Sequence, residues 1–166
     1  EREGDEEPFV RLVLGADGRT GFGMTVMGEV YIQSLGAEEP EDYLSMALSE
    51  RFQRGELWTM GRFYAALTVS QEILPILQVS VVTIANILDP SALVGPSLSW
   101  SVATNADFVI GGFFALGKRP EDLELTDLVG PDGLLLSPEQ VLGTLQAGSE
   151  FGLLPHQGYA QFKLYF

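Results

Sequence analysis

The sequence predicts an all-β fold, in which about seven antiparallel strands form a segment of an up-and-down β-barrel. Apolar and polar residues alternate in seven separate segments, which is the pattern of a strand whose two faces meet different environments. The segments have about the 9–11 residues that a tilted strand needs to cross a bilayer. The length of 166 residues calls for one domain, so residues 1–166 are assigned to a single barrel domain.

Charged residues and apolar residues are concentrated in different parts of the sequence. The net charge is −14, yet 46 % of the residues are hydrophobic, whereas disordered acidic chains are poor in apolar residues. Of the 23 acidic residues, 18 fall within residues 1–8, 36–56 and 117–158, outside the alternating segments. No apolar stretch approaches the roughly 20 residues of a transmembrane helix. The negative charge also excludes nucleic acid as a partner, because its phosphates would be repelled.

The first three strands each pair an apolar row with a more polar one. The apolar rows are Val10, Leu12, Leu14 and Ala16; Met24, Val26, Val30 and Ile32; and Phe63, Ala65, Leu67 and Val69. The opposite rows include Arg11, Val13 and Asp17; Thr25, Glu29, Tyr31 and Gln33; and Arg62, Tyr64, Thr68 and Ser70. Side chains two residues apart in a strand lie on the same face, so each strand has one apolar face and one more polar face.

The last four strands repeat the alternation. Their apolar rows are Leu77, Val79, Val81, Ala85 and Ile87; Val94, Leu98, Trp100 and Val102; Phe108, Ile110, Phe114 and Leu116; and Ala160, Phe162, Leu164 and Phe166. The opposite rows are Gln78, Ser80 and Asn86; Ser97, Ser99, Ser101 and Ala103; Val109, Gly111, Phe113 and Ala115; and Tyr159, Gln161, Lys163 and Tyr165. A soluble sandwich would carry charge on its outward face, whereas these rows carry mainly Ser, Thr, Gln, Tyr and small residues. The pattern therefore favours transmembrane strands.

The connections support this interpretation, because a membrane barrel has short turns at one rim and longer loops at the other. The short turns are expected at 17–21, 72–75 and 104–107, with another short connection at 89–91, and the long loops at 36–56 and 117–158. Both long loops fall on one rim, which would be extracellular if the short turns are periplasmic. Single-chain bacterial barrels have an even number of strands. We therefore expect further strands, on an upstream section or a separate chain, to complete the barrel.

The long loops have helical and acidic features of their own. Residues 40–54 have helical spacing of apolar residues, and Ser137 begins a capping-box pattern for a second short helix. The acidic clusters at 5–7 and 38–42 contain oxygen ligands suited to Ca²⁺ but lack the spacing of a calcium loop. A solvated acidic rim is the preferred interpretation.

The end of the chain resembles the C-terminal sorting signal of bacterial outer-membrane β-barrel proteins. That signal is a terminal aromatic residue preceded by apolar residues at alternate positions, represented here by Ala160, Phe162, Leu164 and Phe166. The resemblance implies recognition by the barrel-assembly machinery and residence in the outer membrane of a Gram-negative cell. The hairpins from Leu57 to Gly117 also look like those of porin-like barrels, but no functional residue can be transferred from that likeness.

The polar rows supply the candidate site residues. Charged and polar side chains that line a barrel tune which solutes pass; the lumen-facing candidates are Arg11, Glu29, Arg62, Tyr64, Gln78, Asn86, Gln161 and Lys163. The same residues would equally well hydrogen-bond to one another in a filled interior. No catalytic, metal or cofactor site is expected, because Cys is absent and His156, the only histidine, has no nucleophile motif nearby.

Three functions follow from these expectations. The first is an integral outer-membrane barrel of porin or transporter type, in contact with membrane lipid and with the remaining strands or a partner chain. The second is a non-conducting barrel that serves as a scaffold or anchor in a multi-protein envelope complex. The third is a soluble β-barrel that binds a small apolar ligand, which would require apolar side chains to point inward. No enzyme activity is expected.

Overall fold

A computed structural model describes residues 8–119 and 148–165, in which one antiparallel sheet contains seven strands in sequential order. The strands are β1 (Arg11–Arg19), β2 (Thr25–Gln33), β3 (Phe63–Leu74), β4 (Leu77–Asn86), β5 (Ser91–Ala103), β6 (Ala106–Leu116) and β7 (Gln157–Leu164). Each strand pairs with the next one along the chain. The predicted all-β, antiparallel, up-and-down arrangement of seven strands is confirmed.

The short connections lie at one end of the sheet. Only two residues join β3 to β4 and β5 to β6, and residues 20–24 join β1 to β2. In that first turn, Thr20 Oγ1 accepts a hydrogen bond from the Met24 amide at 3.0 Å, and Gly23 adopts a φ of 89° that favours glycine. The predicted turn at 17–21 begins too early, because residues 17–19 pair with residues 25–27 and extend β1.

The other three connections begin and end at the opposite end of the sheet, which we call the loop rim: residues 34–62, 87–90 and 117–156. The helix predicted over 40–54 is divided into a 3₁₀ helix (Pro40–Asp42), α1 (Tyr43–Leu48) and α2 (Glu50–Gln53). The break falls at Ser49, whose extended backbone interrupts α1 and whose hydroxyl accepts from the Phe52 amide as the N-cap of α2. A second 3₁₀ helix covers Phe151–Leu153.

Some expectations fall outside the described residues: the acidic cluster at 5–7, the helix beginning at Ser137 and the terminal Phe166. Within residues 8–119 and 148–165, no helix has both the length and the hydropathy needed to cross a membrane.

The register divides the side chains between two faces. Residues directly opposite each other in an antiparallel ladder point to the same side of the sheet. The apolar face contains Leu14 opposite Val30, Leu98 opposite Ile110, and Phe108 opposite Phe162. The polar face contains Tyr64 opposite Asn86, Ser80 opposite Ser97, and Asp107 opposite Lys163.

The two faces differ in what covers them. Large side chains of the apolar face are open to their surroundings: Leu14 is 61 % exposed, Phe162 58 %, Phe114 48 % and Trp100 45 %. The most buried side chains instead lie at the loop rim, on the polar face and in the loops that cover it. Apolar residues therefore do not form a shared dry interior with one another across this sheet.

The outer edges of the sheet are unpaired in the described part of the chain. β1 and β7 pair only with β2 and β6, so the sheet is not closed. All nine residues of β1 and all eight of β7 are exposed. Both edges therefore present free backbone donors and acceptors to a further strand.

Candidate functional site: the polar face and its buried cluster

The register places seven of the eight candidate lumen-facing residues on the polar face. Their opposite partners are Gln33 for Arg11, Ala66 for Glu29, Asn86 for Tyr64, Glu72 for Gln78, Val109 for Gln161 and Asp107 for Lys163. The eighth, Arg62, directly precedes β3. Its side chain turns to the loop, where Nε donates to the Gly36 carbonyl at 2.5 Å and the guanidinium pairs with Glu38.

These residues do not form one cluster. Tyr64 and Asn86 meet at the loop rim, whereas Gln78 and Lys163 lie near the short turns and Glu29 lies at mid-strand. The charges along this face include Arg11, Arg19 and Lys163 as cations and Asp17, Glu29, Glu72 and Asp107 as anions. Both signs are interspersed, so the face is polar without being strongly charged in one sense.

Glu150 is the centre of a buried polar cluster at the loop rim. Its Oε2 accepts from the Tyr64 hydroxyl at 2.5 Å and from the Asn86 side-chain amide at 2.8 Å. Its Oε1 accepts from the Met60 backbone amide at 2.8 Å. Glu150 is 6 % exposed, Tyr64 2 % and Asn86 2 %. A residue that follows the long acidic loop is thus anchored to two neighbouring strands and to the connection between β2 and β3.

Asp89 extends the cluster along the connection between β4 and β5. Its Oδ2 accepts from the Ser91 hydroxyl at 3.0 Å and from the Glu150 backbone amide at 2.5 Å. The Asn86 side-chain carbonyl accepts a hydrogen bond from the Asp89 backbone amide at 3.3 Å. The Asn86 side-chain amide donates to the Glu150 carboxylate and to the Tyr43 hydroxyl. One asparagine therefore joins α1, β4 and the segment before β7.

Gln33 forms the neighbouring part of the cluster. Its side-chain amide donates to the Gly61 carbonyl at 2.7 Å and to Thr59, and its side-chain carbonyl accepts from the Tyr31 hydroxyl at 2.9 Å. Gly61 is required by close packing, because a Cβ there would lie 2.5 Å from Asn86 Nδ2 and 2.9 Å from the Tyr64 hydroxyl. The loop backbone can approach the strands this closely only without a side chain.

The electrostatics of the cluster are unusual because it buries two carboxylates, those of Asp89 and Glu150, which are 61 positions apart in the chain. The groups that donate to Glu150 and Asp89 are neutral: hydroxyls, a side-chain amide and backbone amides. Burial raises the pKa of Tyr43, and the nearby Asp89 and Glu150 raise it further. A phenolate beside two carboxylates would be costly, so the Tyr43 hydroxyl is held in its neutral, donating form.

The buried cluster gives the polar face a covered end. Tyr43, at 1 % exposure, and Phe151, at 7 %, pack over it, and the Tyr64 and Phe151 rings meet edge to face at 6.5 Å. Further along the face, Phe113 contacts Tyr159 with ring centroids 5.9 Å apart. The arrangement is suited to holding loop segments in fixed positions over a polar surface.

Sequence reasoning identified part of this site. The sequence predicts polar rows that contain Gln33, Tyr64 and Asn86, and a helix over 40–54 that contains Tyr43. Glu150, Asp89 and Ser91 were missed as site residues. The local sequence gives no indication that these residues are buried. Glu150 is one of many acids in an acidic loop, and an Asp-Pro-Ser turn is normally exposed to solvent, so only the tertiary contacts show that they are buried.

His156 lies apart from the buried cluster, directly before β7. Its Nδ1 accepts a hydrogen bond from the Ala115 backbone amide at 3.1 Å, and its ring lies 6.0 Å from that of Phe114. Across the described ranges, no group of three or more His, Asp or Glu side chains is placed to hold a metal ion.

The three described residues of the sorting-signal pattern, Ala160, Phe162 and Leu164, lie on the apolar face of β7. Comparison of the chain with protein-family models, with curated proteins and with solved structures finds no match.

Proposed function

We propose that these strands form part of an integral outer-membrane β-barrel, whose polar face lines a passage for small solutes and whose apolar face contacts lipid. The observation that carries the proposal is the uncovered apolar face opposite a polar face whose loop-rim end is covered by the chain's own loops. Strand lengths of 8 to 13 residues also match the roughly 9–11 residues that a tilted strand needs to cross a bilayer.

The magnitude of the exposure supports lipid contact over water. Fully burying a large apolar side chain stabilises a protein by roughly 1.5–3 kcal/mol. About ten such side chains left half-exposed in water therefore cost roughly 10 kcal/mol of stability. That sum equals the net stability of a typical domain, about 5–15 kcal/mol. Monomeric soluble proteins rarely leave contiguous apolar patches of this extent uncovered. Hydrocarbon chains would remove the cost.

The unpaired edges support a larger barrel. In hydrocarbon, each unsatisfied backbone group costs several kcal/mol, so a spanning sheet must be closed. β1 and β7 run in the same direction, because they are the first and seventh strands of an antiparallel series. An antiparallel closure therefore needs an odd number of additional strands, supplied by another section or a partner chain, which agrees with the even strand number of bacterial barrels.

In this proposal the loop rim narrows the passage. The buried cluster fixes residues 59–61 and 149–151 over the end of the polar face, through contacts to Tyr64 and Asn86. The mixed charges farther along the face would contact solutes in transit. We expect a channel whose conductance depends on how firmly the loops are held.

The same burial favours a second candidate, a non-conducting barrel that anchors an envelope complex. If the loops fill the passage, the cluster is structural and no solute crosses. The third hypothesis, a soluble barrel around an apolar ligand, needs the apolar face to be enclosed, and the exposure of Phe162, Phe114 and Trp100 does not favour it.

Planar-bilayer recording tests the proposal. The protein is extracted from membranes in mild detergent together with whatever chains accompany it, and then added to a lipid bilayer. Stepwise conductance supports the passage. A detergent-dependent protein that inserts without conductance supports the anchor, and a protein that stays monodisperse without detergent contradicts the membrane assignment altogether.

A further inference from the structure

A groove of about 550 Å³ crosses the apolar face over β5, β6 and β7. Its floor consists of the small or flat residues Pro96, Gly112 and Gly158. Gly112 and Gly158 are opposite each other in the ladder. Pro96 lies at the same level of β5, since Val94 pairs with Phe114 and Ser97 with Gly111 on either side. At this height two neighbouring strands lack a side chain and the third has only the compact proline ring.

The walls of the groove are apolar and continuous. Leu98 and Ile110 are opposite each other on the side toward the short turns, and Phe114 and His156 form the side toward the loop rim. The Ile110 and Phe114 levels are four residues apart, or roughly 13 Å along a strand. Once their side chains and a packing distance of about 3.5–4.0 Å on each side are allowed for, the space is about one hydrocarbon chain wide.

His156 gives the groove one directed polar group. Its Nδ1 accepts from the Ala115 amide at 3.1 Å, so the proton of the neutral imidazole is on Nε2. The residue is exposed at the loop-rim end of β7. Nε2–H is thus a donor at the edge of an otherwise apolar groove.

We propose that this groove is a binding site for a membrane glycerophospholipid, with one acyl chain lying on Pro96, Gly112 and Gly158 and an ester or phosphate oxygen accepting from His156 Nε2. The inference rests on the proposed function, since it requires the apolar face to meet lipid. A peptide segment is disfavoured because its backbone amides and carbonyls would find a single polar partner in the groove. An amphiphile with one alkyl chain below one oxygen acceptor matches both features.

The glycines allow a direct test. A Cβ at Gly158 would have Gly111 O at 3.9 Å as its nearest neighbour, so Gly158→Leu fills the groove without disturbing the backbone. Gly112 is unsuitable, because a Cβ there would lie 2.7 Å from Gln157 O. The matched control is Gly28→Leu, on the apolar face of β2, where a Cβ meets nothing within 4 Å. His156→Phe keeps an aromatic ring beside Phe114, and it removes both the Nε2 donor and the Nδ1 acceptor of the Ala115 amide.

The readout is native mass spectrometry of the detergent-purified protein after addition of palmitoyl-oleoyl-phosphatidylethanolamine. We expect one retained lipid on the wild-type protein and on Gly28→Leu, its loss from Gly158→Leu, and retention about tenfold weaker in His156→Phe. Equal retention by Gly158→Leu and the wild type overturns the proposal. So does a dimer that Gly158→Leu dissociates, because a second copy would then occupy the groove.

The result is separable from the proposed function. Gly158→Leu lies on the opposite face from the passage, so its conductance should equal that of the wild type. A conducting protein that retains no lipid refutes the groove alone. A protein that retains the lipid but needs no detergent refutes the membrane assignment and leaves the groove as a lipid site.

Discussion

The Tyr64 hydroxyl donates a 2.5 Å hydrogen bond to Glu150 Oε2, although the two residues are 86 positions apart in the chain. Tyr64 belongs to β3 and Glu150 to the segment before β7, so the contact spans the sheet's loop rim. The same carboxylate accepts from Asn86 in β4. The Glu150 carboxylate, surrounded by neutral hydrogen-bond donors, therefore determines where the segment before β7 lies against the strands.

Replacing that carboxylate should release the loops. Glu150→Gln places an amide group, itself a donor, against Tyr64, Asn86 or Met60, which are all donors to the present carboxylate. Because a buried polar group then lacks its partner, we expect a loss of about 1–3 kcal/mol in unfolding free energy. Tryptic cleavage after Arg51 and Arg54 should accelerate. Glu41→Gln, at an exposed site of the same rim, is the control and should change neither quantity.

A surface ion pair of the same rim should matter far less. The Arg62 guanidinium pairs with Glu38, but the two side chains are 33 % and 68 % exposed. Exposed pairs contribute about 0–1 kcal/mol, and salt screens them. Glu38→Gln should therefore alter urea unfolding by less than about 1 kcal/mol. A loss as large as that from Glu150→Gln would show that the loop is held by charge pairing instead of the buried cluster.

The cluster should weaken at alkaline pH. Burial, with Asp89 and Glu150 nearby, raises the pKa of Tyr43 above its ordinary value of about 10. The folded state then holds this proton more tightly than the unfolded state. The contribution of the protonated Tyr43 hydroxyl to the free energy of unfolding is complete below pH about 10, and it is lost as the pH rises toward the folded-state pKa.

Urea unfolding between pH 8 and 11 measures this effect, with Tyr43→Phe as the reference. The wild type should lose stability relative to Tyr43→Phe above pH about 10. Parallel curves for the two proteins would mean that Tyr43 ionises as freely in the folded state as in the unfolded chain.

Charge should be tolerated on only one face of β3. Leu67 and Thr68 are neighbours on opposite faces of that strand. Arginine on the lipid face of a barrel costs about 2–4 kcal/mol near the bilayer centre, whereas a polar lining accepts it. Leu67→Arg should therefore reduce folding into lipid vesicles, measured by urea titration, while Thr68→Arg should fold nearly as well as the wild type. A greater loss for Thr68→Arg would reverse the assignment of the faces.

The strands were predictable because alternation is a local signal. The apolar row Ala160, Phe162 and Leu164 and the polar row Gln161 and Lys163 lie in β7 as the period of two requires. The strand ends were harder, since Asp17 and Gly18 resemble turn residues and only their pairing with Met27 and Val26 extends β1. The end of a strand depends on whether its residues pair with a neighbouring strand, and the sequence of the turn alone does not show that pairing.

The buried cluster was only partly predictable for a related reason. Tyr64 and Asn86 were expected on the polar face, but nothing near Glu150 distinguishes it from the other acids of its loop. Its burial depends on long-range contacts with β3, β4 and the Asp89 turn. The helix over 40–54 was predicted as one element, and the break at Ser49 shows how capping by a single hydroxyl divides it.

Fluorescence quenching from within the bilayer asks which medium touches each face. Single-tryptophan proteins are made from a Trp58→Phe, Trp100→Phe background by adding Leu67→Trp or Thr68→Trp, and are reconstituted in vesicles with brominated acyl chains. Strong bromine quenching of the tryptophan at position 67, with little at position 68, is the expected result. Quenching of position 68 by aqueous iodide, with position 67 shielded from both reagents inside the protein, would contradict lipid contact and the passage proposed with it.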